Sequence, residues 1–226
     1  AYTYFVSSAD RDLTGVGIDQ FIPNHFHEVP RLINDYMSCD IVVTTVSPPD
    51  RHGFFTFGAI NDYISKAART AKKLIVEVNP KMPRVFGDSL LHISEVDAVV
   101  ENESELPELA PAEAKPEAKI IGRQIAELIP DGAVIQLGIG GIPNAAAEEL
   151  SGRRDLGIHT ELFCPGMVNL IKKGAVNGRR KNLHNRKHVF TNALGDHDLY
   201  DFINDNPSVE SYPVSYANDP DRKSVV

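Results

Sequence analysis

Glu161 stands in the run HTELFCPG (His159–Gly166), where the neighbouring residues suggest a buried strand running into a turn. A carboxylate in such a place is costly unless it is paired, neutral or used in chemistry. Upstream, QLGIGGIPN (Gln136–Asn144) carries glycine at 138, 140 and 141 between a strand pattern and a helix pattern. Glycine lets the backbone approach a ligand, and the free N–H groups of a helix start attract negative charge. Ionised carboxylates are nucleophiles at neutral pH, because an unperturbed glutamate titrates near pH ~4.3. Together the two stretches suggest a functional carboxylate beside a loop able to hold a ligand's negative charge. Each also has a plain structural explanation: a tight turn for the glycines, an ion pair for the glutamate. The loop is neither a dinucleotide fingerprint, which needs glycine where Pro143 stands, nor a P-loop, which needs Lys-Ser/Thr.

Other reactive side chains make weaker patterns. HFHE (His25–Glu28) and HNRKH (His184–His188) space histidines as metal pairs sometimes are, but the second lies in loop-like sequence, and no metal site is expected. Cys164 has no recognisable histidine partner and is expected to be a packed thiol. The short basic run GRRKN (Gly178–Asn182) reads as a solvated turn.

The elements needed to position Glu161 and the loop follow from the periodicity. DIVVTTVS (40–47), KLIVEVN (73–79) and VDAVVE (96–101) read as strands, the first as one buried on both faces. NDYISKAARTAK (61–72) reads as a helix between them. NESELPELAPAEAKPE (102–117), acidic and broken by prolines, has linker composition and sets the division: residues 1–109 as a first α/β domain, 110–116 as linker, 117–226 as a second. The second part repeats the alternation. Its helix EAKIIGRQIAELI (117–129) is expected to bury Ile120, Ile121, Ile125, Leu128 and Ile129. AVIQLG follows as a strand, and Pro143 is expected at the first position of the next helix. LGIHTEL and HVFTNALG are strands, and DHDLYDFIND is a helix capped by Asp196. Such alternation predicts parallel sheets with covering helices. Ligands of open α/β sheets bind at the carboxyl edge of the strands, so Glu161 and the loop can meet there.

Composition limits the function classes. With 226 residues, 42% hydrophobic and 24% charged, the chain can bury a real core. A net charge of −8 argues against a nucleic-acid partner. No apolar run reaches the ~20 residues of a membrane span, and no secretory signal opens the sequence. Two cysteines at no metal-like spacing fit a reducing, cytoplasmic setting. AYTYF at the start and RKSVV at the end both read as strands cut short, as in a fragment of a longer chain.

The run IQLGIGGIPNAAAEEL followed by DLGIHTELFCPGMVNLIKKGAVN closely resembles the acetyl-CoA hydrolase/transferase family, especially its 4-hydroxybutyrate and butyrate–acetate CoA-transferase branch. VSPPDRHGFFTFG, EVNPKMPRVFGDSLLHISEVD and LYDFINDNPSVE extend the likeness over nearly the whole sequence. The resemblance implies two α/β domains of the fold shared by CoA-transferases and sugar-phosphate isomerases, both truncated here. It implies Glu161 as the nucleophile that carries CoA as a thioester. It implies Gln136, Leu137, Gly138, Ile139, Gly140, Gly141 and Ile142 as the CoA-binding and oxyanion loop. Acyl-CoA and a small carboxylate such as acetate, 4-hydroxybutyrate or butyrate would be substrates of a homo-oligomer with no permanently bound cofactor. Hydrolysis of acyl-CoA by the same glutamate, or CoA binding without turnover, stays open. Where the family carries Asp-Gly soon after the glutamate, this sequence has Pro165-Gly166, and a second glycine-rich loop that completes the family's site is absent.

Overall fold

A computed structural model describes residues 1–7, 10–37, 39–110 and 114–223. In chain order the first elements are β1 (Tyr2–Thr3), α1 (Arg11–Gly15), β2 (Gln20–Phe21), α2 (Val29–Tyr36), β3 (Ile41–Val46) and β4 (Phe54–Thr56). There follow α3 (Ile64–Thr70), β5 (Lys73–Val78), β6 (Phe86–Gly87), β7 (Leu90–His92) and β8 (Ala98–Glu101). Strands β3, β5 and β8 form a parallel sheet in that order. Val42, Val46, Leu74, Val76 and Val78 bury one face of it against Val29 and Ile33 of α2 and Ala67 and Ala68 of α3. The opposite face is bare among the described residues, with Ile41 and Val43 59% and 63% exposed. The expectation of a strand buried on both faces is therefore corrected: α2 and α3 cover only one side.

The later elements are α4 (Pro116–Leu128), β9 (Val134–Ile135), α5 (Gly141–Glu149), β10 (Gly157–Ile158), β11 (Leu162–Phe163) and α6 (Pro165–Lys172). The last are β12 (His188–Phe190), β13 (Asn192–Ala193), α7 (His197–Ile203), β14 (Val209–Ser211), α8 (Val214–Ala217) and α9 (Pro220–Lys223). β9 pairs in parallel with β10, β11 with β13, and β12 with β14, while a bridge from His159 to Val189 links β10 to β12. Asp196 caps α7 as expected, its carboxylate accepting from Leu199 N at 3.0 Å.

α4 buries a different face from the one its isoleucines suggest. Its buried positions are Ala118, Gly122 and Ala126, whereas Ile120, Ile121, Ile125 and Leu128 are exposed. The reason is the close approach of α5. A Cβ on Gly122 would lie 2.8 Å from the backbone of Ala145 and Ala146, so only the small-residue stripe fits against α5. Pro143 is the third residue of α5, not the first, because the helix already begins at Gly141. The end of the sequence also differs from its strand reading: Arg222 and Lys223 belong to α9, and residues 224–226 lie outside the described residues.

The two halves of the chain share structure. β6 pairs in parallel with β14, and Ala59, Met82 and Val85 enter the core built by Ile158, Phe163, Met167, Phe190, Leu199 and Val209. The segment joining the halves donates from Leu109 N to Gly195 O at 2.8 Å, and Pro107 O accepts from Tyr200 OH at 2.6 Å. Residues 111–113 of the expected linker lie outside the described residues. Among the described residues no helix is long and apolar enough to cross a membrane.

Candidate active site

The loop and the glutamate leave adjacent strands. Val134 and Ile135 of β9 lie opposite Gly157 and Ile158 of β10, and both strands run in one direction. Past Ile135 the chain runs through Gln136–Gly140 into α5; past Ile158 it runs through His159 and Thr160 to Glu161. The two segments thus emerge side by side at the carboxyl edge, as parallel pairing requires. Gly140 has φ +122° with open space around its missing Cβ, a conformation that L side chains rarely adopt. Leu137 is buried in the core, while Ile139 and Ile142 are 56% and 40% exposed, so the loop is anchored at its start and bare at its bend. At the start of α5 the first-turn N–H groups lack intrahelical acceptors, and Pro143 has none to offer.

Glu161 sits in a bend between β10 and β11. Its carbonyl accepts from Thr191 N at 3.2 Å and Asn192 N at 2.9 Å, which fixes the bend against β13. Its half-buried carboxylate accepts, through Oε2, a hydrogen bond from Asn218 Nδ2. Lys223 lies in the field of that carboxylate and donates to Gln136 Oε1 at the head of the loop. Burial lowers the Lys223 pKa, and the charge of Glu161 opposes that shift. One cation therefore links the two stretches singled out by their sequence. His159 is buried two residues earlier, and its Nε2–H donates to Ala217 O at 3.0 Å. Burial, reinforced by the Lys181 ammonium, pushes its pKa down to about 4, so the ring is neutral at physiological pH.

Cys164 is 4% exposed at the head of α6, and burial raises its thiol pKa. It lines a cavity of about 760 Å³ between α5 and α6, with Ile139, Gly140, Asn144 and Lys173; Glu161 is not on that wall. His25 and His27 stack on each other with ring centroids 5.8 Å apart. Among the described residues no group of three His, Cys, Asp or Glu side chains is placed to hold a metal.

The basic run Gly178–Asn182 is a turn with Arg179, Arg180 and Asn182 exposed, as expected, but Lys181 departs from that reading. Arg179 and Arg180 pair with Asp155 at 2.7 and 3.0 Å, and Lys181 is 4% exposed. Its ammonium donates to Ile158 O and Lys187 O, both at 2.8 Å. The reason lies at Gly157, whose missing Cβ would fall 2.6 Å from Lys181 Cγ: the lysine stem crosses β10 where no side chain blocks it.

Residues 2–109 match the profile of the acetyl-CoA hydrolase/transferase N-terminal domain. The chain is 46% identical over 217 residues to the succinyl-CoA:cyclohexane-1-carboxylate CoA transferase of Geobacter metallireducens, covering 96% of this chain and 50% of that protein. It is 43% identical to the 4-hydroxybutyrate coenzyme A transferase of Clostridium kluyveri, covering 96% of this chain and 51% of the other. The chain belongs to the acetyl-CoA hydrolase/transferase family. Among solved structures, RipA from Yersinia pestis superposes with a TM-score of 0.93 at 45% identity, over 97% of this chain and 53% of that one. The fold is thus the mixed α/β architecture of CoA-transferases, and the chain spans about half the length of the curated relatives it matches.

Asn218 and Lys223 were not legible as site residues in the sequence. They stand in an unremarked stretch, ANDPDRK, far along the chain from Glu161, and only the return of α8 and α9 across the sheet edge brings them to it.

Proposed function

We propose that the full-length protein transfers CoA between an acyl-CoA and a small carboxylate, with Glu161 as the covalent carrier. The observation that carries the reading is the placement of Glu161. Its carboxylate leaves the carboxyl edge of the sheet, is held by Asn218, and faces the lysine that grips the head of the glycine loop. Relatives named for succinyl-CoA, cyclohexane-1-carboxylate, 4-hydroxybutyrate and butyryl-CoA–acetate chemistry support a carboxylate acceptor.

In this reading Asn218 engages Oε2 and leaves Oε1 to attack the acyl carbonyl. The C–S bond breaks, giving an acyl-glutamyl anhydride and CoA thiolate. The thiolate then attacks the Glu161 carbonyl, expelling the first carboxylate and leaving a glutamyl-CoA thioester. An incoming carboxylate reverses the two steps and departs as the new acyl-CoA, in ping-pong order. Each addition develops an oxyanion near the loop Gln136–Ile142, where one N–H donor is worth ~3 kcal/mol. Thioester energy is conserved throughout, so neither ATP nor a metal is called for. The same reading takes residues 1–109 and 117–226 as two domains joined at 110–116, in a cytoplasmic homo-oligomer.

The test uses the full-length protein. Acyl-CoA without acceptor should leave CoA on Glu161, and borohydride, which reduces a thioester but not a carboxylate, should then inactivate the enzyme. The reduced residue should appear in the peptide from Asp155 to Lys172. Glu161→Gln should lower transfer by more than about a thousandfold while leaving the fold intact. A Glu161→Gln protein with near wild-type transfer would overturn the reading, and acyl release without any carboxylate acceptor would redirect it to hydrolysis.

A further inference from the structure

We propose that Tyr216 and His184 are positioning residues for the Glu161 carboxylate, acting through α8 and Asn218; the inference rests on the reading of Glu161 as nucleophile. α8 has only four residues, Val214–Ala217, too few to hold a shape alone. Yet it sets two contacts at the site in succession: Ala217 O accepts from His159, and Asn218 donates to Glu161. Whatever fixes the rotation of α8 therefore fixes the carboxylate.

The fixing group is a polar and aromatic cluster around Tyr216, and its His184 ring also lies 6.5 Å from the His159 ring. Glu210 Oε2 accepts from Tyr212 OH at 3.0 Å and lies 3.2 Å from His184 Nδ1, while Lys187 pairs with the other oxygen at 3.3 Å. A carboxylate only accepts, so Nδ1 carries the proton. In the neutral ring Nε2 is then the acceptor, and Tyr216 O–H donates to it at 2.6 Å. Tyr216 is further held by stacking on Tyr212, with centroids 4.6 Å apart and planes 21° from parallel, and by Arg222 lying 4.0 Å over its ring. Tyr216 precedes Ala217 and Asn218 directly, so its hydroxyl acts as a stop on the turn that carries them. Val214 N, donating to Asp62 O at 2.9 Å, holds the other end. Without the Tyr216–His184 bond the stacked ring still packs, but α8 loses the hydroxyl contact that sets its rotation. A displacement of ~1 Å at a reacting group can cost ~10²-fold in rate.

The experiment is a double-mutant cycle in the full-length enzyme, read as the single-turnover rate of thioester formation on Glu161, with thermal melting followed alongside. Tyr216→Phe keeps the ring and removes only the hydroxyl. It should slow thioester formation about tenfold with KM for acyl-CoA changed less than about twofold. Asn218→Ala should be slower still, and adding Tyr216→Phe to it should change nothing more, because the route through Asn218 is already lost. His184→Gln, which can still accept from Tyr216, should lie nearer to wild type than His184→Ala. Thioester on Glu161 together with independent, multiplicative losses in the double mutant would show a merely structural cluster and overturn the positioning role. So would a Tyr216→Phe enzyme with wild-type rate. Wild-type protein that forms no thioester overturns the nucleophile reading and this inference with it, which separates the two failures.

Discussion

Lys181 makes the stability of this chain depend on alkaline pH with an unusual sign. Lys181 is 4% exposed and its ammonium donates to two carbonyls, Ile158 O and Lys187 O; burial lowers its pKa from 10.5 to about 8, and the charge of Glu210 opposes the shift. The folded state thus holds this proton more weakly than the unfolded chain does. Between the two pKa values the unfolded chain binds more protons, so stability rises with pH. Below pH ~8 the folded chain bears the full penalty, about 3 kcal/mol from ~1.36 kcal/mol per unit. From pH 8 to 9.5 about half of it, roughly 1.5 kcal/mol, should be recovered. The window must stop there, because burial raises the pKa of Tyr63, Tyr200 and Tyr212, and a tyrosine held neutral loses stability as pH climbs through 10. Lys181→Met removes the titrating group. It also strands two carbonyls, so its stability at neutral pH tells little; the slope is the diagnostic. Urea unfolding followed by circular dichroism at pH 8.0 and 9.5 should give wild type a gain that the methionine variant lacks. Lys223, whose pKa is also lowered, is present in both proteins and cancels. Equal slopes would refute a buried, weakly protonated Lys181.

Two further outcomes follow from packing and capping. An exposed helical glycine changed to alanine gains up to ~1 kcal/mol from propensity. Gly122→Ala should instead lose about 1–3 kcal/mol, because its Cβ meets the backbone of α5 at 2.8 Å; a raised urea midpoint would deny the close α4–α5 contact. Asp196→Ala should cost about 1 kcal/mol by removing the acceptor for Leu199 N, with Asp196→Asn close to wild type; equal midpoints for wild type and Asp196→Ala would show the cap to be idle.

What could be read in the sequence was whatever lies close along the chain. The β-branched runs of β3 and β5, the cap of α7 and the strand-to-helix loop of glycines are local patterns, and each has its element in the structure. Two of the misreadings share one cause: the deciding partner was distant. Hydropathy alone turns the isoleucines of α4 inward, but α5 approaches so closely that only Ala118, Gly122 and Ala126 fit between the helices. Charge alone turns Lys181 outward, but Gly157 opens a path for its stem across β10.

The same distinction runs through the site. Glu161 and the glycine loop stood out because each breaks a local rule, a charge in a strand and glycines before a helix. Asn218, Tyr216 and His184 break none. An asparagine after a short helix and a histidine in a polar loop are ordinary in sequence, and their significance lies in contacts to residues dozens of positions away. Parallel strands explain the arrangement. Their carboxyl ends collect at one edge, so segments leaving neighbouring strands can meet Glu161 regardless of their place in the chain. β9 sends out the loop, β10 the glutamate, and β14 is followed by the turn that carries Asn218 and Lys223. The proposed nucleophile can be recognised from its own surroundings, but the residues proposed to aim it are recognisable only once the sheet order is known.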